Sequence, residues 1–81
     1  MVGMQERYLE RIRLILLELS RRPLSRVDLE SRFLQKFGSP SAFESTFSFL
    51  VRDGRIRKGE SEYRSPYIIT ERGTKLLEAL S

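Results

Sequence analysis

Eighty-one residues, read as a single domain spanning 1–81, lie near the low end of what buries a self-sufficient core. Fifteen basic residues against eleven acidic ones leave a net charge of +4, with twelve arginines among the fifteen. A polyanion partner fits that balance, and a solvated, salt-bridged surface is the other reading. The absence of Cys and His excludes a disulfide framework and a thiolate metal site, and removes the commonest general base. No catalytic residue, metal ligand or cofactor is expected.

The longest apolar run, Leu14 to Leu17, is far too short to span a bilayer, and the first residues lack a signal-peptide plan. A soluble, cytoplasmic protein without a membrane partner is expected.

Met4 to Ser20 carries Tyr8, Leu9, Ile12, Ile15, Leu16 and Leu19 at steps of three and four, the pattern of a helix burying one broad stripe. Leu14 and Leu17 fall on the opposite side. Either they pack under another part of the domain or they form a dimer interface. Pro23 stops this helix, and Leu24 can add a one- or two-residue edge strand.

Ser25 is a good N-cap for a second helix, with Asp28 in its first turn. Val27, Leu29, Phe33, Leu34 and Phe37 are its expected buried face, and Gly38 its left-handed stop. Ser39-Pro40 opens a third helix, with Ser41 and Glu44 as an alternative capping box. Phe43, Phe47, Leu50 and Val51 are its expected inward residues, and Gly54 closes it. Two helices across a Gly-Ser-Pro turn form a helix-turn-helix pattern, which any helical bundle can share.

Arg55 to Lys58, around Ile56, reads as one strand of a hairpin, and Tyr67 to Ile69 as the return strand. The connection from Gly59 to Pro66 is polar and too long for a tight turn, so a mobile tip is expected. Thr70 caps a last helix with Glu71 near its positive end; Leu76, Leu77 and Leu80 give it an apolar face, and Gly73 permits close packing there. The fold class is therefore α+β, mostly α: a winged helix-turn-helix with a three-helix core, a β-hairpin wing and a C-terminal helix.

The phrases FLVRDGRIRKG and YIITERGTKLLEAL resemble the end of the recognition helix, the wing and the final helix of PadR-like and MarR-like winged-helix transcriptional regulators. The resemblance is best over Phe43 to Leu80. It implies a homodimeric regulator of transcription that binds double-stranded DNA; it does not imply a small-molecule effector, and none is evident.

With Phe43, Phe47 and Leu50 inward, Ser41, Ser45, Ser48, Phe49 and Arg52 turn outward, onto the face that the resemblance places in the major groove. Serines specify sequence poorly. Phe49 reads either as core or interface edge, or as a contact to thymine methyls or a partner. Glu44 would repel phosphate unless it accepts from cytosine or only caps the helix. On the wing, Arg55, Arg57, Lys58 and Arg64 are candidates for the DNA backbone or minor groove, diluted by Glu60 and Glu62, with Tyr63 at the tip. Arg21, Arg22 and Arg26 could clamp flanking backbone. The competing reading is a winged-helix protein-interaction or adaptor module without direct DNA binding. An enzyme is disfavoured, since the acids lie on a loop with nothing to assemble a site around them.

Overall fold

The computed structural model describes residues 2–59 and 65–81, with side chains from Glu6 onward. The first helix runs Val2–Arg21 (α1), and Ile12, Ile15, Leu16 and Leu19 are buried along it. Tyr8 is half-buried against the same core, but Leu9 remains 37% exposed at the rim of the stripe instead of inside it. Leu14 packs against the core of its own chain and Leu17 is half-buried, so the side set aside for a dimer partner is partly used within the domain. Helix α1 touches the third helix, the second hairpin strand and the final helix, which accounts for apolar residues around so much of its circumference.

Leu24 pairs antiparallel with Tyr67, its N–H donating to the Tyr67 carbonyl at 3.2 Å and its own carbonyl accepting from Tyr67 at 2.7 Å. The second helix is Arg26–Phe37 (α2). The Ser25 hydroxyl accepts from the Asp28 N–H, and Gly38 ends the helix at φ 93°, a conformation that side chains rarely tolerate. Leu29, Phe33 and Phe37 are its buried residues. Val27, expected inside, is 71% exposed, because the first turn of α2 projects beyond the core that Leu29 reaches.

Two residues later the third helix, Pro40–Arg52 (α3), begins with Ser39 as N-cap, its hydroxyl accepting from Ala42 N–H. The cap therefore lies at Ser39 and not at the alternative Ser41–Glu44 box. Phe43, Thr46, Phe47 and Leu50 are buried, while Val51, expected inward, is 39% exposed. Thr46 takes the inward position that Val51 does not, its hydroxyl satisfied by the Ala42 carbonyl at 2.8 Å, so no buried polar group is orphaned there.

Strands Ile56–Lys58 (β1) and Tyr67–Ile69 (β2) pair antiparallel, with Ile56 opposite Ile69 and Lys58 opposite Tyr67. Helix Glu71–Leu80 (α4) follows, Thr70 capping it through Gly73 N–H. Leu76, Leu77 and Leu80 are half-buried against the core, as their spacing predicts. Aromatic rings link the layers. Phe33 stacks on Phe37 at 5.3 Å, Phe37 lies 6.3 Å from Phe43, Phe43 stacks on Phe47 at 5.7 Å, and Phe47 meets Tyr67 edge-on at 5.0 Å. Each such pair adds about 0.5–1.5 kcal/mol beyond burial. This line of rings fixes α2, α3 and the hairpin to one another. Four helices and a two-stranded hairpin in this order give the mostly α, α+β architecture of a winged helix.

Candidate nucleic-acid interface

The outward side of α3 is polar. Ser41, Ser45 and Arg52 are exposed and Ser48 is half-buried. The Ser45 hydroxyl donates to the Ala42 carbonyl at 3.3 Å, and Ser48 donates to Glu44 Oε2 at 3.3 Å. Phe49 turns inward: it packs against the core, edge-on to Tyr8 at 6.1 Å. Half-buried in this way, Phe49 is partly covered by its own chain.

A concave surface of 530 Å³ is lined by Arg26, Phe47, Ser48, Val51, Arg52 and Tyr67, bringing together three of the expected contact residues from α2 and α3. A second concavity shares Arg26 and Tyr67 with it and is lined also by Lys58, so it lies between the wing and the start of α2. Arg21 and Arg22 are exposed at the end of α1, with Arg22 3.9 Å from Glu18.

The cations are not equivalent. Arg26 donates to Glu30 at 3.1 Å and also to Glu44, and its guanidinium lies 5.0 Å above the Phe47 ring. Its hydrogen bond to Glu30, with a further one to Glu44, holds its pKa above the ordinary arginine value against the opposing effect of burial. With two carboxylates around it, Arg26 has little charge left for phosphate.

Arg55 is also committed. It donates to Asp53 Oδ2 at 2.7 Å and to the Arg72 carbonyl at 2.9 Å. Arg72 in turn donates to the Asp53 carbonyl at 3.1 Å and lies 3.6 Å from its carboxylate. Sequence reasoning missed Asp53 and Arg72. One signal was present: an acid at the C-terminal end of α3 opposes the helix dipole, so it calls for cationic neighbours.

Arg57 and Lys58, by contrast, are exposed on β1 and enter no ion pair among the described residues. Among the described residues, Arg57 donates to the Lys58 carbonyl alone, at 3.1 Å. Arg64, with Glu60, Glu62, Tyr63 and the expected mobile tip, lies outside the described residues.

Among the described residues, no three His, Cys, Asp or Glu side chains come together to hold a metal ion, and no helix is long and apolar enough to cross a membrane. The sequence matches no protein-family model, no curated protein and no solved structure.

Proposed function

We propose that this domain is a DNA-binding transcriptional regulator, similar to PadR-like and MarR-like proteins. It would place α3 in the major groove and its wing along the backbone or minor groove. The observation that carries the reading is the pair Arg57 and Lys58: two exposed cations on β1 that form no ion pair among the described residues, with Lys58 lining a concavity that shares Arg26 with the one lined by Ser48 and Arg52. The net charge of +4 supports it. Backbone contact through such cations displaces condensed counterions, so affinity should fall steeply with salt. Fluorescence anisotropy with labelled random duplex, titrated from low to moderate salt, tests this directly.

A homodimer belongs to the same reading, because paired half-sites add affinity for a small domain. The half-buried Leu17 and the exposed Leu9 leave apolar surface on α1 for a second copy. Sedimentation equilibrium of the wild type should give twice the 9.5 kDa chain mass.

The adaptor reading is favoured by a different observation. Val27 and Val51 are exposed near the same concavities, and the Arg26 charge is already neutralised. Absence of any duplex binding at low salt would select it.

A further inference from the structure

Glu44 is the one acidic residue of α3, exposed on the side that carries Ser41, Ser45 and Ser48. A helix that merely gripped phosphate would bind better without it, since a carboxylate repels the DNA backbone. It is not spent on capping, because Ser39 fills that position.

Both of its oxygens are instead held from outside the helix start. Arg26 reaches Oε1 from α2, and Ser48 donates to Oε2 at 3.3 Å from one turn further along α3. Arg26 is itself fixed by Glu30 at 3.1 Å and by the Phe47 ring at 5.0 Å. The Arg26 and Glu44 side chains are 44% and 49% exposed. An ion pair that exposed contributes little to stability, so fold stabilisation is a weak account of the arrangement. Orientation is a better one. Both contacts bias the carboxylate towards one direction, with lone pairs left on each oxygen and no donor of its own.

In the major groove, such an acceptor suits the exocyclic amino group of cytosine. We infer that Glu44 is a base-specifying residue of α3, accepting from cytosine N4, and that Arg26 and Ser48 position it. The inference rests on the DNA-binding reading and deepens it. It also reassigns Arg26 from a clamp on flanking phosphate to a positioning residue.

The test is selection of bound fragments from a random duplex library by wild type, Glu44→Gln and Arg26→Ala, read by sequencing, with salt titrations of each. Circular dichroism melting checks that the variants fold. The wild type is expected to enrich cytosine at one fixed position. Glu44→Gln should lose that preference by about tenfold and turn towards adenine, whose N6 and N7 an amide can pair. It should also bind random duplex more tightly, having lost a repulsive charge. Arg26→Ala should blur the same position while leaving the salt slope unchanged.

A Glu44→Gln protein that keeps the wild-type base preferences overturns the inference, as does a wild type that binds yet selects no base. A salt slope that falls by about one unit in Arg26→Ala would return Arg26 to phosphate binding and overturn its positioning role. A wild type that retains no duplex even at low salt removes the DNA-binding reading itself, an outcome distinct from the others.

Discussion

Arg55 and Arg57 stand two residues apart, one just before β1 and one within it, yet they belong to different parts of the molecule. Arg55 is drawn down to the base of the hairpin, into a knot with Asp53 at the end of α3 and Arg72 at the start of α4. Around that knot the Thr70 hydroxyl donates to the Gly54 carbonyl at 2.6 Å, and Thr70 N–H donates to the Arg55 carbonyl at 3.1 Å. Arg57 is exposed on the strand, bonded among the described residues to a neighbouring carbonyl alone. The base of the wing thus consumes its cations to fix the angles between α3, the hairpin and α4. The strand beyond it leaves its cations available. A count of positive charge along the chain treats these two regions alike, and their geometry separates them.

The sharpest way to break the base is Gly73→Ala. A Cβ there would lie 2.0 Å from the Arg55 carbonyl oxygen and 2.8 Å from Ile69 Cγ1, so α4 must move off the hairpin. A loss of about 3 kcal/mol or more is expected in urea denaturation, a large share of the roughly 5–15 kcal/mol that keeps an ordinary domain folded. On the outer strand, the double change Arg57→Ala with Lys58→Ala should leave the melting temperature unaltered. It should weaken duplex binding about tenfold and reduce the slope of log affinity against log salt by about 1.8.

Thr70→Ala removes both the α4 cap and the bond to Gly54, and should cost about 1–2 kcal/mol in the same denaturation measurement. Arg55→Ala is the smallest of these effects. Its ion pair is largely shielded, with the Arg55 side chain 23% exposed, and its loss should cost about 1 kcal/mol of stability without changing the salt slope.

Much of the fold was legible because its boundaries are written in local chemistry. Ser25, Gly38, Thr70 and the Ser39-Pro40 step each act on backbone groups a few residues away, and each sits where that chemistry requires. The edge strand expected at Leu24 is a single bridge, whose partner Tyr67 the sequence did not name, and the two hairpin strands pair where their alternation placed them. Helical periodicity was less decisive at the margins. It could not tell which of Leu9, Val27 and Val51 would be covered, because the width of an apolar stripe is set by the neighbours packed on it. Thr46 carried no signal as a core residue, since its hydroxyl is satisfied within its own helix.

The site was legible as a collection of residues but not as an arrangement. Arg26 and Arg55 each have one partner nearby, Glu30 and Asp53, but the contacts that complete their commitment are remote: Glu44 lies eighteen positions from Arg26, and the Arg72 carbonyl seventeen from Arg55. Phe49 falls outward by helical spacing, and Tyr8, forty-one positions earlier on α1, partly covers it.

The central claim is that the wing touches nucleic acid through its outer cations and not through its base. Its most direct test is the salt dependence of duplex binding for wild type, Arg55→Ala and the Arg57→Ala, Lys58→Ala double variant. Equal slopes for wild type and Arg55→Ala, with a slope shallower by about 1.8 for the double variant, are the expected result. A double variant with the wild-type slope, or a slope lost only in Arg55→Ala, would contradict it.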